Sequence, residues 1–156
     1  MGCAWPGGNP PALLRFATPG IAGLKDLLGE ARDPLDPTEL SGSIGLGPGL
    51  TPWGDDLIGG ALIALAALGL RERRDVLWRH CVELLDRTND ISRAHLRSAA
   101  LGFGSAALHN AIHAVMSGSV RNLRQALAAL AAMGHTSGRD AFAGSLIVLR
   151  QAAGLA

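Results

Sequence analysis

The chain has 156 residues, of which 48% are hydrophobic and 17% are charged, and its formal net charge is +1. A chain of this length forms one domain with a sizeable core, and its 14 basic against 13 acidic residues exclude the basic footprint of a nucleic-acid binder. The apolar residues are mostly Ala and Leu, with three Phe and no Tyr, so the composition favours helices over strands.

The first 40 residues predict little regular structure. Residues 1–11 are rich in Gly and Pro and are predicted to be flexible, and they contain neither the basic nor the apolar segment of a secretory signal. Short helices are predicted over residues 12–16 and 19–31, and a turn over residues 37–40. Breaks at Asp-Pro steps separate these elements from the glycine-rich segment that follows.

That segment, SIGLGPGLTPWGDDLIGG at residues 43–60, combines a loop with the start of a helix. Thr51 and Pro52 have the pattern of an N-cap followed by proline at the first helical position. The helix is predicted to reach Leu70 and, because it is apolar on every side, to lie buried at the centre of the fold. Its apolar run is shorter than the roughly 20 residues that a membrane span requires, so we expect no membrane association.

The rest of the chain predicts further helices and no strand. Asn89 or Asp90 is expected to cap one long helix, weakened at Gly102 and Gly104. The sequence therefore predicts an all-α fold in which residues 1–156 form a single-domain bundle of about six helices. After the central helix, the predicted elements are a charged turn at 71–74, an amphipathic helix at 76–85, the long helix at 91–115, a turn at 117–119, and helices at 120–133 and 137–153.

The pattern G-x-D-x-x-x-G occurs twice, at Gly54, Asp56 and Gly60 and again at Gly138, Asp140 and Gly144. Thr residues precede it and an apolar helix follows it in both places. We call it the repeated motif and predict that the two helix starts form the two halves of one site.

Free N–H groups and the helix dipole at a helix start favour an anion, and glycines let the backbone approach it. The segment lacks the Lys of a Walker A loop and the preceding strand of a dinucleotide fingerprint. Asp55 and Asp56 would repel a bare anion. The conflict disappears if the ligand also carries N–H donors, or if a divalent cation such as magnesium lies between carboxylate and phosphate. The alternative interpretation is that both aspartates merely complement the helix dipole.

The second helix start, GHTSGRD at residues 134–140, reads as a capping box from Ser137 to Asp140. Arg139 could grip a carboxylate or phosphate, and His135 could titrate near neutral pH. The predicted catalytic residues are Asp55, Asp56 and Asp140. The predicted substrate-binding residues are Gly45, Gly47, Gly49, Thr51, Gly54, His135, Thr136, Ser137, Gly138 and Arg139.

Other polar residues give weaker signals. His95, His109 and His113 fall on one stripe of the predicted long helix, and His109 and His113 could bind a metal at i, i+4. The Glu of a zinc-protease helix is missing, so hydrogen-bonded histidines are favoured and no metal ligand is assigned. Arg93 and Arg97 are predicted to lie on a solvated face.

Two cysteines and the hydroxyl residues give no sign of a nucleophile. Cys3 and Cys81 lack metal-site spacing and are predicted to be free thiols of a cytoplasmic protein. No G-x-S-x-G elbow occurs, so catalysis would depend on electrostatics and positioning.

The string GLGPGLTPWGDDLIGG, followed in order by TNDISRAHLRSAALG and GHTSGRDAFAGSL, resembles the AllH-like family over about residues 40–156. The resemblance implies a subunit of an oxamate carbamoyltransferase of anaerobic allantoin catabolism, working with FdrA-like and AllG-like subunits. That enzyme moves a carbamoyl group between oxamate and phosphate and gives carbamoyl phosphate. Oxamate and carbamoyl phosphate each carry anionic oxygens and an amide, which fits N–H groups and Arg139 for the oxygens and Asp55 or Asp56 for the amide.

Two other functions remain open at this stage. One is a magnesium-dependent all-α hydrolase that resembles ADP-ribosylglycohydrolases, although their further aspartate pairs are missing. The other is a non-catalytic scaffold subunit whose glycine-rich loop closes against a partner. A small anionic substrate is expected for the carbamoyltransferase and for the hydrolase. Magnesium is the one cofactor left open, and a homo-oligomer is compatible with the carbamoyltransferase, the hydrolase and the scaffold subunit.

Overall fold

The computed structural model describes residues 41–133 and 136–154, so the elements predicted before residue 41 lie outside this part of the chain. Within the described ranges the protein contains six α-helices and no strand, which confirms the predicted all-α bundle. A 3-10 turn at Leu85–Arg87 joins the second and third helices. The helices are α1 Trp53–Ala67, α2 Arg71–Leu84, α3 Asp90–Ala100, α4 Ala106–Met116, α5 Val120–Ala131 and α6 Ser137–Ala152.

Helix α1 is the centre of the fold, as predicted. It packs most extensively against α6 and also contacts α2, α3 and α4. Apolar residues on all its sides, among them Leu57, Ile58, Leu62 and Leu65, are at most 1% exposed. Such burial excludes water from the helix and holds its first turn in a fixed place.

Helices α1 and α6 approach each other closely at the last glycines of the repeated motif. A Cβ atom added at Gly60 would lie 1.7 Å from the Ala141 carbonyl oxygen, and one added at Gly144 would lie 1.8 Å from the Leu57 carbonyl oxygen. Leu57 and Ala141 each precede a motif glycine by three residues, so the contact is reciprocal. The Ser145 hydroxyl reinforces it by donating to the Gly60 carbonyl at 2.9 Å. This part of the motif therefore brings two helix backbones together.

Two helix boundaries differ from the prediction. Helix α1 ends at Ala67, and the predicted charged turn at 71–74 is the first turn of α2. The predicted helix over 91–115 is two helices, because Gly102 adopts a φ of +87° and Ser105 starts α4 by accepting a hydrogen bond from the Leu108 N–H at 3.2 Å. An L-residue with a side chain rarely adopts this φ, so Gly102 is suited to end α3 here.

The caps also differ in two of three places. Asn89 is confirmed as the cap of α3, since its Oδ1 accepts from the Ile91 and Ser92 N–H groups at 3.0 and 3.1 Å. Thr51 is not the cap of α1: Pro52 occupies that position. The predicted capping box from Ser137 is wrong as well, because Thr136 is the cap residue of α6 and Ser137 is its first helical residue.

Candidate functional site

A cavity of about 640 Å³ lies between α1, α3 and the start of α6, and the α3–α4 loop closes one side of it. Its volume is typical of small-molecule sites in proteins. Polar side chains from the starts of α1 and α6 line one part. Apolar side chains line most of the remaining wall, namely Ile63, Leu96, Ala99, Phe103, Leu108, Leu130, Met133 and Ala141.

Thr51, Asp56 and Ser137 form the polar end of this cavity. The Thr51 and Ser137 hydroxyl oxygens lie 2.8 Å apart, so the hydroxyls are hydrogen-bonded across the two helix starts. Neither residue caps its helix as predicted. The two hydroxyls instead contact each other. The prediction that the two segments meet therefore agrees with this geometry.

The pKa of the Asp56 carboxyl is raised from 3.8 to about 6, mainly by burial and to a smaller extent by the nearby charges of Asp140 and Asp55. The Ser137 and Thr51 hydroxyls oppose this shift because they stabilise the charged carboxylate. The Asp56 Oδ2 atom is buried and has no hydrogen-bond partner among the described residues. Asp56 lines the cavity, and a buried acceptor without a partner is a group that a ligand can satisfy.

Asp140 is close enough for its charge to affect Asp56, but it does not line the cavity. Its Oδ2 atom is likewise buried, with no hydrogen-bond partner in residues 41–133 and 136–154. Asp56 thus belongs to the cavity lining, and the second motif aspartate, Asp140, lies near it outside the lining.

Asp55 has a different environment, although it also reaches the cavity wall. It is only 4% exposed, and its Oδ1 accepts the Gly45 N–H at 2.8 Å. Its Oδ2 accepts a hydrogen bond from the Thr88 hydroxyl. Both oxygens are therefore used in holding the glycine-rich loop against the α2–α3 connection.

The TND segment that begins at Thr88 holds the same loop at a second point. The Asn89 side-chain amide donates to the Leu50 carbonyl at 2.9 Å, and the Ser92 hydroxyl donates to that carbonyl at 3.3 Å. The Gly54 N–H donates to the Leu46 carbonyl at 3.1 Å. This network fixes the position of Thr51 at the cavity.

The glycines of the loop serve close packing. Gly45 has a φ of +78°, and a Cβ atom there would lie 2.3 Å from the Arg87 carbonyl oxygen. Gly47 has a φ of +114°, and a Cβ atom there would lie 2.3 Å from the Trp53 ring. Neither of them, nor Gly49 or Gly54, lines the cavity, so their contact with a ligand stays a prediction.

The remaining predicted site residues divide between the cavity wall and the surface. Gly138 lines the cavity, and a Cβ atom there would lie 2.4 Å from the Leu130 carbonyl oxygen. Thr136 and Arg139 are exposed and do not line the cavity. His135 lies outside the described residues.

Several lining residues were not predicted. Ser92, Ser98 and Ser105 add hydroxyls along α3 and the α3–α4 loop, and Phe103 adds an aromatic ring. The sequence signal for this wall is the Gly-Phe-Gly at 102–104, which we interpreted as weakness within a helix.

The three histidines do not form one stripe, because the predicted long helix is divided into α3 and α4 near Gly102. His95 lies on α3 and lines the cavity, whereas His109 and His113 lie on α4. Within residues 41–133 and 136–154, no group of three or more His, Cys, Asp or Glu side chains is arranged to hold a metal ion.

Arg93 is less solvated than predicted: its side chain is 28% exposed, and its Nε donates to the Leu85 and Thr88 carbonyls at 2.8 and 3.1 Å. Arg97 is exposed, in agreement with the prediction. Cys81 is a buried free thiol, and burial raises its pKa to about 12, which leaves it unreactive as a nucleophile.

None of the described helices is long and apolar enough to cross a membrane. No solved structure matches the chain. One protein family does match it, over residues 43–149, and the family is described as the oxamate carbamoyltransferase subunit AllH. Because the match covers well over half of the chain and includes both helix starts, the chain belongs to the AllH family.

Proposed function

We propose that this protein is a subunit of an oxamate carbamoyltransferase of allantoin catabolism and that its cavity holds the amide end of oxamate. The family supports the reaction, and the polar end of the cavity supports the kind of ligand. The other enzyme subunits, FdrA-like and AllG-like in the resemblance described above, would complete the active assembly.

The observation that carries the proposal is the buried Oδ2 atom of Asp56, which has no hydrogen-bond partner in the described part of the chain. A carboxylate oxygen accepts hydrogen bonds, so its natural partner in the cavity is an N–H group. Oxamate and a carbamoyl group both present an amide N–H. The ligand's oxygens would face Gly138 in the first turn of α6, where helix N–H groups have no partner within the helix.

Carbamoyl transfer also needs a proton at this position. When the carbamoyl carbon leaves the oxamate nitrogen for a phosphate oxygen, the C–N bond breaks, a C–O bond forms and the nitrogen gains one proton. In the reverse direction the nitrogen loses that proton. Asp56, with a pKa of about 6, can act in both directions near neutral pH, as an acid when protonated and as a base when charged.

The three predicted catalytic aspartates then have separate tasks. Asp56 contacts the substrate. Asp140 is a positioning residue whose charge adds to the effect of burial in raising the pKa of Asp56. Asp55 holds the glycine-rich loop through Gly45 and Thr88, which keeps Thr51 at the cavity.

The assembled enzyme with Asp56→Asn tests the proposal. Asn keeps an oxygen that accepts an N–H but cannot exchange a proton, so kcat should fall about 100-fold or more while KM for oxamate stays within a few-fold. Asp75→Asn, on the exposed side of α2, is the matched control and should leave both constants unchanged. Wild-type kcat in the Asp56→Asn enzyme would refute the assignment.

A further inference from the structure

The charge of the cavity does not match that of its ligand. Its described lining contains two carboxylates, Asp55 and Asp56, and no Lys or Arg. Oxamate carries a carboxylate of its own, and carbamoyl phosphate carries a phosphate. An anion placed beside carboxylates without a cation is strongly disfavoured in a partly enclosed site. The described part of this chain therefore supplies the amide-binding half of the site, but it offers the anionic end only the N–H groups of α6 and no Lys or Arg in the lining.

The cavity also has room to spare. Oxamate has few non-hydrogen atoms, whereas about 640 Å³ is the size of a site for a much larger ligand. A long side chain entering from outside could fill the space beside the substrate.

Exposed apolar side chains occur in the cavity lining and next to lining residues along the chain. Phe103 and Met133 line the cavity, yet they are 68% and 40% exposed. Leu101, two residues before Phe103, is 71% exposed, and Leu50, next to Thr51, is 70% exposed. We call these four residues the apolar rim. Large exposed apolar side chains beside a site are typical of an interaction surface.

We propose that another subunit of the carbamoyltransferase docks on the apolar rim and inserts an Arg or Lys side chain into the cavity to bind the anionic end of the substrate. The inference rests on the proposed function, because it takes the substrate from there. The charges indicate the occupant. A cavity lined by carboxylates needs a cation to bind an anionic ligand, and the exposed apolar residues of the rim favour an apolar partner surface around that cation. An Arg fork also matches a carboxylate or a phosphate in geometry.

Arg139 is a rival source of the cation among the described residues of this chain. It lies one residue after Gly138 and is exposed, and it does not line the cavity. If it swings in to bind the anion, no cation from a partner is required. The test must therefore separate these two sources.

The first measurement is calorimetric binding of oxamate and of its neutral amide, oxamide, to the isolated chain and to the assembled enzyme. The ratio of oxamate affinity to oxamide affinity should rise at least about tenfold on assembly, because only oxamate gains the charge-assisted bond. An unchanged ratio would overturn the cation from a partner subunit and leave the proposed function standing. A loss of oxamate affinity of about tenfold in the isolated chain with Arg139→Gln would also overturn the partner's cation, because Arg139 would then bind the anion. An assembled enzyme that binds no oxamate would instead refute the proposed function.

The second measurement is assembly itself, followed by analytical ultracentrifugation. Leu101→Ser should weaken assembly with the other subunits at least about tenfold, since it removes an exposed apolar contact at the rim. Val82→Ser, at an apolar residue of α2 that is 50% exposed and is not part of the rim, should assemble like the wild type. Wild-type assembly of Leu101→Ser contradicts the docking surface, and so does a rim that pairs two copies of this chain.

Discussion

The crossing of α1 and α6 gives the sharpest stability prediction, because neighbouring glycines of one helix face different surroundings. A Cβ atom at Gly60 would lie 1.7 Å from the Ala141 carbonyl oxygen, whereas one at Gly59 would lie 3.8 Å from the Ala99 Cβ. Carbon and oxygen atoms normally stay about 3.3 Å apart or more. Gly60→Ala therefore forces the two backbones apart by about 1.5 Å, and no side-chain rotation can relieve it.

The expected loss combines two effects. Overpacking a core costs about 1–3 kcal/mol, and the Ser145 hydrogen bond to the Gly60 carbonyl adds about 1 kcal/mol if it breaks. We expect Gly60→Ala to lower the free energy of unfolding by about 3 kcal/mol or more. Gly59→Ala should raise it by up to about 1 kcal/mol, since Ala is the better helix former.

Urea unfolding followed by circular dichroism measures both variants against the wild type. The difference of about 4 kcal/mol between neighbouring substitutions is a large part of a domain's usual stability. A Gly60→Ala protein as stable as Gly59→Ala would refute the close crossing of α1 and α6.

Three further predictions concern single side chains. The raised pKa of Asp56 means that its charge opposes folding above about pH 6, and that this opposition fades as the pH falls towards 4. Asp56→Asn should therefore raise the free energy of unfolding at pH 7.5 by about 1–2 kcal/mol, allowing for solvent screening, and by less at pH 4. An equal gain in the free energy of unfolding at both pH values would count against the raised pKa. Thr88→Val removes a donor from the buried Asp55 carboxylate and should cost about 2–3 kcal/mol in urea unfolding, so a loss under about 0.5 kcal/mol would speak against the contact. Cys81, whose pKa burial raises to about 12, should resist iodoacetamide at pH 8 until the protein unfolds; rapid labelling of its peptide in the native protein would contradict its burial.

The sequence predicted the central helix and the meeting of the two helix starts because both leave local signals. An apolar run without a polar face has to be buried, and a repeated Gly and Asp spacing points to similar surroundings. The role of Gly60 and Gly144 in the close contact between α1 and α6 was not predictable from such local signals. Only the packed fold shows that these glycines face the carbonyls of the other helix.

The hydroxyls show why local rules failed at the site. Thr51 and Ser137 have the residue types of N-caps, and propensity alone assigns them to that task. In the fold they meet each other beside Asp56, so a contact between distant parts of the chain outweighs the local preference. The paired aspartates could not be separated from sequence either, since only the contacts with Gly45 and Thr88 distinguish Asp55 from Asp56.

The boundary at Gly102 illustrates a third limit. A glycine within a helical pattern can be tolerated or can end the helix, and the pattern on either side is the same. Here the positive φ of Gly102 and the cap at Ser105 end α3, and the resulting loop brings Phe103 to the cavity.

The central claim is that the buried Oδ2 atom of Asp56 accepts a hydrogen bond from an N–H group of the substrate. Calorimetric binding of oxamate to the assembled enzyme with Asp56→Leu tests it directly, because Leu has nearly the shape of Asp and accepts no hydrogen bond. Asp75→Leu, at an exposed position of α2, is the matched control. We predict that Asp56→Leu weakens oxamate binding at least about tenfold while Asp75→Leu binds like the wild type. Wild-type affinity in the Asp56→Leu enzyme would contradict the claim.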